Sequence, residues 1–312
     1  MEFLFVIDPL GSLKAYKDTT VAMMRAAQKR GHAVFVSEQG NIFWKGEVAA
    51  RVTRLSLTDN DEDWYRPHET AERPLQAFDA VLMRKDPAFD MEYVASTWLL
   101  SEAERQGARV FNRPGAIRDH NEKLAIAEFS KFAAPSLATR DMAKLQQFID
   151  EQRHVALKRL DGMGGHGIFI VKHDEPNRNV IVETITELGE RSVMAQRYIP
   201  EIRDGDKRVL LIDGQPVPHC LARIPKAGDS RGNLAAGARG VAQPLTARHR
   251  EIAAALGPLL AQRGLLLVGL DIIGDWLTEV NVTSPTCFRE IQDQAGFDVA
   301  GMFLDALQRK LA

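Results

Sequence analysis

The feature that most restricts how this chain can fold is a seven-residue loop, Asp161-Gly-Met-Gly-Gly-His-Gly167, set between two β-rich runs, His154–Arg159 and Ile168–Lys172. Four of its seven residues are glycine. Glycine lets backbone N–H groups approach a phosphate closely and take positive φ angles. A P-loop needs a trailing Lys-Ser/Thr and a helix behind it, and neither is present. A dinucleotide fingerprint needs G-x-G-x-x-G after a first strand, and the residues after Asp8 lack it. What remains is a strand–loop–strand unit, which is either a cover for a phosphate or a plain glycine-rich turn. Lys158, on the strand just before the loop, favours the first, because its ammonium reaches the same phosphates.

The N-terminal third reads as an α/β unit. Residues 3–7 (FLFVI) are a short apolar strand ending at Asp8-Pro9. Thr19–Arg30 is an amphipathic helix stopped by Gly31. Residues 33–37 and Ala80–Met83 are further strands, a helix spans Glu92–Gln106, and Arg109–Phe111 is one more strand. Strand–helix–strand alternation implies a mostly parallel, helix-covered sheet. Asn41–Pro74 is polar and resists assignment; Trp44, Trp64 and Tyr65 in it are expected to pack locally.

A second pattern starts near Asn112. Glu122–Lys131 and Met142–Glu151 read as helices, followed by the glycine-loop hairpin and a strand, Val193–Tyr198, closed by Pro200. The third part alternates strands (RVLLID, VPHCLARI) and turns. It continues through a glycine-rich loop, a helix (Ala247–Arg263), two strands and a C-terminal helix. The expected division is 1–121, 122–200 and 201–312.

The stretch Leu265–Val282 (LLLVGLDIIGDWLTEVNV) carries a candidate metal set. Glu279 and Asn281 are two apart on one strand and share a face. Asp271, interrupting the apolar run before the turn, is the natural third ligand, and such oxygen ligands suit Mg²⁺. Register decides whether they meet. A two-residue Gly274-Asp275 turn puts Asp271 opposite Thr278, on the wrong face. A three-residue loop through Trp276, or a bulge of equal effect, puts it opposite Glu279. The alternative is an ordinary polar sheet face, although a buried carboxylate wants a partner.

Arg208 and Arg223 fall on neighbouring predicted strands, and their forks match phosphate and carboxylate oxygens. The loop 225–240 (PKAGDSRGNLAAGARG) holds four glycines with Arg231 and Arg239. It reads as a mobile lid that closes over substrate, or as a plain surface excursion.

Composition removes other classes. A net charge of −2 over 312 residues gives no reason to expect nucleic acid. Apolar runs such as Leu265–Leu270 are too short to span a bilayer. The opening MEFLFVIDPLGS lacks a basic leader, so a cytoplasmic location is expected, with Cys220 and Cys287 reduced and packed. The eight histidines show no ligand spacing.

Together, a strand lysine before a glycine loop, the hinge MAQRYIP, arginines on later strands and an Asp…Glu-x-Asn set resemble the ATP-grasp family over residues 112–312. Over essentially the whole chain the sequence is similar to the prokaryotic glutathione synthetase family. The stretches that carry this are IDP (7–9), MRKDPAFD (83–90), NEKL (121–124), LDGMGG (160–165), DGDKRVL (204–210), CLARIP (220–225), RGNLAAGARG (231–240) and GLDIIGDWLTEVNVTSPT (269–286).

The resemblance implies an α/β fold with α+β character in the later domains. That is an ATP-grasp fold behind an N-terminal Rossmann-like parallel-sheet domain. It implies ligation of γ-glutamylcysteine to glycine through an acyl phosphate, with ATP and Mg²⁺ (or Mn²⁺), in a homotetramer. Lys123 and Lys158 would contact the phosphates, with Gly164, Gly165 and Gly167 lying over them. Gln196, Arg197, Tyr198 and Ile199 would hold adenine, largely through backbone, with Asp206 near the ribose. Asp271, Glu279 and Asn281 would hold the metal. Arg208 and Arg223 would face the transferred phosphoryl group, with Arg231 closing from the lid. Arg84, Asp86, Arg231 and Arg239 would be candidates for the peptide. His166 and Ala238 depart from the pattern. Two alternatives stand beside this reading. Another ATP-grasp ligase would differ in MRKDPAFD and RGNLAAGARG. A non-catalytic ATP-binding module would be free to lose an arginine or a metal ligand.

Overall fold

The computed structural model describes residues 1–165, 167–229, 231–234 and 237–312; His166 lies outside them. Its strands make three sheets, each drawn from its own stretch of the chain. The first stretch runs β1 (Glu2–Ile7), α1 (Thr19–Lys29), β2 (Ala33–Glu38), β3 (Ile42–Lys45), β4 (Glu47–Leu57), β5 (Tyr65–Pro74), β6 (Ala80–Met83), α2 (Met91–Arg105) and β7 (Val110–Phe111). β2, β1, β6 and β7 are parallel neighbours in that order. Their uniformly apolar character follows from burial on both faces. The chain passes first to one side of β1 and then to the other. A crevice therefore opens at the carboxyl ends of β1 and β6, where Asp8 and Arg84 emerge.

The unassigned Asn41–Pro74 forms β3, β4 and β5, an antiparallel extension of this sheet. β5 is exposed along most of its length, which is why its sequence is polar. Trp64 and Tyr65 pack ring against ring at 4.6 Å, whereas Trp44 stays exposed.

The second stretch runs α3 (Pro114–Asp119), β8 (Ser136–Thr139), α4 (Met142–Gln152), β9 (His154–Arg159), β10 (Ile168–Lys172), α5 (Arg178–Ile185) and β11 (Val193–Arg197). The sheet is antiparallel in the order β10-β9-β11-β8, with α4 and α5 packed on its apolar face through Leu145, Ile149, Val182 and Ile185. The expected helix over Glu122–Lys131 is absent. Two short 3₁₀ turns, Leu124–Ala127 and Ser130–Phe132, stand there instead. Tertiary bonds account for this: Val280 N–H donates to Glu122 O at 2.8 Å, and the Lys123 ammonium donates to Gly162 O at 2.6 Å. The segment follows its neighbours rather than its own propensity.

The third stretch runs β12 (Asp206–Ile212), β13 (Gln215–Pro216), β14 (His219–Ile224), β15 (Arg239–Pro244), α6 (Ala247–Gln262), β16 (Leu267–Ile273), β17 (Trp276–Asn281), α7 (Phe288–Ala295) and α8 (Val299–Leu311). Its sheet is antiparallel, β15-β14-β12-β16-β17, with β13 on β12. α6 covers one face through Ile252, Leu256 and Leu260. Where one C-terminal helix was expected there are two, parted at Gly296 (φ +69°), with Asp298 capping the second. These helices turn back to the first sheet. Phe288, Phe303, Leu304 and Leu307 share a core with Phe3, Phe5 and Met24. Among the described residues, no helix is long and apolar enough to cross a membrane.

Candidate active site

The three sheets converge on one cavity of about 620 Å³. Its floor is a row of charged side chains laid across four adjacent strands. Arg223 on β14 pairs in register with Asp206 on β12, Arg208 pairs with Asp271 on β16, and Asp271 pairs with Glu279 on β17. Asn281 sits two residues beyond Glu279, on the same face. The turn at Gly274-Asp275 has two residues, with Ile273 opposite Trp276; Thr278 is then bulged out, which restores Asp271 to Glu279. Of the two devices that could align this set, the chain uses the bulge.

Arg208 holds both oxygens of Asp271, at 2.5 and 2.9 Å, and Arg223 reaches Oδ2 at 2.8 Å while also bonding Asp206. Burial opposes ionisation of Asp271, but the two guanidiniums outweigh it and hold its carboxyl well below the usual range. Asp206 goes the other way. Burial, reinforced by Asp271 and Glu279 and opposed by Arg223, pushes it up to about 6. The Lys123 and Lys158 ammoniums each stand 3.9 Å from Glu279 Oε1. Glu122 adds a further carboxylate, its carboxyl raised by burial and by Glu279. Four cations (Lys123, Lys158, Arg208, Arg223) thus face four carboxylates (Glu122, Asp206, Asp271, Glu279).

Asp271, Glu279 and Asn281 fit a hard divalent cation. Asn281 donates through Nδ2 to Gly269 O at 3.3 Å, which leaves its carboxamide oxygen as the acceptor facing the row. Among the described residues no three His, Cys, Asp or Glu side chains cluster closely enough for a metal.

The glycine loop covers the row from the second sheet. Gly164 and Gly165 both take positive φ, at +62° and +83°, and a β-carbon on Gly165 would fall 2.5 Å from Asn233 Oδ1 of the 225–240 loop. A β-carbon on Gly232 would fall 2.9 Å from Arg223 O. Gly232 and Asn233 of this loop therefore lie against the charged row and the glycine loop respectively. Arg231 lines the cavity, held by Asp229 at 2.8 Å. Ile168, Ile170, Ile199, Ile202 and Ile273 are apolar members of the cavity wall. Gln196 is occupied internally, accepting from Lys158 at 3.2 Å and donating to Ser136 at 3.3 Å. Tyr198 stacks on His154 at 4.0 Å, and Arg197 lies over Trp276 at 5.3 Å.

Three expected residues stand apart from the cavity wall. Gly167 packs against Arg159. Arg239 opens β15, paired with Ile224 and exposed. Arg84 is buried behind the wall, donating to Thr20 Oγ1 at 3.1 Å and Pro285 O at 2.9 Å. Asp86 does reach the cavity. Lys17, Asp18, Glu122, Ser284 and Glu290 also line it and were not singled out from the sequence. Of these, Glu122 lies inside the NEKL stretch and Ser284 inside GLDIIGDWLTEVNVTSPT, so those two carried a signal. Cys287 lines the cavity too, and burial pushes its thiol up to about 11. Both cysteines are buried and free.

Residues 1–118 match the prokaryotic glutathione synthetase N-terminal domain, and residues 122–296 match the prokaryotic glutathione synthetase ATP-grasp domain. The chain belongs to the prokaryotic glutathione synthetase family. The second match contains the glycine loop and every residue of the charged row. Full-length relatives agree. A glutathione synthetase of Ralstonia nicotianae is 62% identical over 99% of this chain and 96% of its own length. One of Nitrosomonas europaea is 54% identical over 100% and 99%, and one of Pseudomonas aeruginosa is 50% identical over 98% and 97%. Among solved structures, D-cycloserine synthetase DcsG superposes with a TM-score of 0.72 at 16% identity, over 99% of this chain and 100% of that one. The ATP-grasp ligase PsnB superposes at 0.65 and 20%, over 99% of both chains. At these identities the likeness concerns the fold, which is that of an ATP-grasp protein. Membership of the prokaryotic glutathione synthetase family brings ATP use and small-molecule substrates with it.

Proposed function

We propose that this chain joins γ-L-glutamyl-L-cysteine to glycine, converting ATP to ADP and phosphate and releasing glutathione. The observation that supports this most is the charged row, on which Lys123 and Lys158 converge at Glu279 while Arg208 and Arg223 converge at Asp271.

A carboxylate is a poor electrophile and must first be phosphorylated. Phosphoryl transfer needs charge neutralisation and alignment more than covalent help from protein. Lys123 and Lys158 hold the ATP phosphates under Gly164 and Gly165. Gln196 through Ile199 border the base, and Asp206 stands by the ribose. Asp271, Glu279 and Asn281 would hold Mg²⁺, or Mn²⁺ in its place, and a cation there would supply neutralisation of charge on the phosphate oxygens. Arg208 and Arg223 face the group in transfer. The donor carboxylate attacks the γ-phosphorus and ADP leaves; the glycine amine then attacks the acyl carbon and phosphate leaves. The arginines stabilise the oxyanion formed in that second step. Arg231 and its loop exclude water, which protects the acyl phosphate from hydrolysis. No side-chain nucleophile takes part.

We place the chain in the cytoplasm as a homotetramer. Its working units are 1–121, 122–200 and 201–312, with α7 and α8 packed against the first. The test is ADP release with Mg²⁺, ATP, γ-glutamylcysteine and glycine, each omitted in turn. Release that requires all four, with glutathione identified by mass, is the expected result. Release with a different acid or amine would move the substrate, and binding of ATP without turnover on any pair would refute the activity.

A further inference from the structure

Asn112 follows β7, where the chain leaves the first sheet, and its side chain is buried against β16 and β17. Both amide hydrogens and the oxygen are in use. Nδ2 donates to Leu267 O and to Val282 O, each at 2.8 Å, and Oδ1 accepts from Leu267 N–H at 2.9 Å. These three bonds decide where β17 ends. The ladder between β16 and β17 runs as far as Gly269 opposite Asn281. Two residues further on, regular pairing would set Leu267 opposite Thr283. Asn112 takes both backbone groups of Leu267 instead, as a neighbouring strand would. Thr283 is turned away, and its hydroxyl donates to Glu122 Oε1 at 3.0 Å. The next two residues meet Arg84: Ser284 Oγ donates to its main-chain O at 3.2 Å, and its Nη2 donates to Pro285 O at 2.9 Å. Thr283 through Cys287 thereby become cavity wall, although Asn112 itself does not line the cavity.

The bond to Val282 O falls one residue beyond Asn281. β17 is the edge strand of its sheet. Its outer side is held at Leu277, by a bridge to Ala133, and at Val280, by the bond to Glu122 O, and both lie before Asn281. The side chain of Asn281 adds a longer bond, 3.3 Å, to Gly269 O. Asn112 therefore closes this end of the strand pair more tightly than Asn281 does, and an edge-strand end without such a closure opens readily.

We propose that Asn112 is a positioning residue for the metal set: by clasping Leu267 and Val282 it fixes the end of β17 and so aims the carboxamide oxygen of Asn281 along the charged row. This rests on the reading of Asp271, Glu279 and Asn281 as that set. Groups that orient a ligand without touching the metal carry about 10- to 100-fold of metal affinity. A residue of the first domain's last strand connection thereby tunes a site built on the third sheet.

The experiment measures, by calorimetry on the full chain, the affinity for a non-hydrolysable ATP analogue, once with Mn²⁺ and once with EDTA. It compares the wild type with Asn281→Ala and Asn112→Ala. In the wild type Mn²⁺ is expected to tighten binding. Asn281→Ala should lose about 10-fold of that metal-dependent part, and Asn112→Ala about as much, with the metal-free affinity unchanged in both. A general loosening of the fold weakens both measurements alike. Equal losses with and without Mn²⁺ in Asn112→Ala would therefore overturn the assignment, and so would no loss at all. Asn112→Ser, which keeps a hydroxyl at the position, takes the place of the alanine variant if that does not fold. Failure of both to fold would make Asn112 a folding residue and overturn its role here. If Mn²⁺ has no effect on the wild type, or Asn281→Ala keeps the full effect, the reading of the metal set falls and the role of Asn112 with it. That result is distinct from a loss in Asn281→Ala that Asn112→Ala does not share, which refutes Asn112 alone.

Discussion

Asp271 and Glu279 face one another across β16 and β17, although the turn between the strands has only two residues, because Thr278 is bulged out of the ladder. Deleting Thr278 makes Glu279 follow Leu277 directly, so regular pairing still sets Glu279 opposite Asp271 and keeps Asn281 on the same face. The variant should fold and retain ADP release coupled to glutathione formation. Loss of ADP release from a variant that still melts cooperatively would show that the bulge does more than align the row.

Glu279 is the point to which both phosphate-site lysines turn, each at 3.9 Å. Glu279→Gln keeps the shape and removes the charge. Turnover should drop by about 100-fold or more, and the Mg²⁺ concentration for half-maximal rate should rise. Unchanged turnover at saturating Mg²⁺ would remove Glu279 from the metal set.

Arg231 sits on the loop that touches both Gly165 and the charged row, anchored by Asp229. Arg231→Ala leaves the phosphate site intact and weakens closure. Ligation should slow by about 10-fold or more while ATP hydrolysis without product rises. A coupling ratio of one ADP per glutathione in the variant would argue against the lid.

Asp206 has a folded-state pKa of about 6 against an ordinary 3.8, raised first by burial. The folded protein therefore binds this proton more tightly than the unfolded chain. The associated stability is fully present below about pH 4 and is lost as pH rises through about 6. Asp206→Asn carries no such dependence. The melting temperature of the variant relative to the wild type should rise across that window, as calorimetry at pH 4, 5, 6 and 7 would show. A difference independent of pH would mean that Arg223 holds Asp206 ionised throughout.

The β9–β10 hairpin and its glycine loop were legible because period-2 runs bracket the glycines, and β6 and β9 fall where their apolar runs end. The row itself was legible residue by residue, since Arg208, Asp271, Glu279 and Asn281 break apolar strands that have no other reason to hold polar groups. What could not be read was whatever depends on a distant partner. The 122–131 segment has a helical pattern and loses it to Gly162 and Val280. Arg84 looks like a ligand and is instead bonded to Thr20 and Pro285. Asp18, not singled out from the sequence, caps α1 and comes to the cavity only because the strand order puts the start of α1 there. α5 and α7 are eight residues each, too short for a helical period to stand out.

The core under the first sheet is finished by Phe288, Phe303, Leu304 and Leu307, which the ribosome adds almost 200 residues after β7 is made. The first domain therefore spends most of translation with that apolar face uncovered. It closes only when α7 and α8 emerge, so the step that seals it is also the one that brings Thr283–Cys287 against the β6 loop. Fixing the last helix and assembling the catalytic cavity are a single event in the life of the chain.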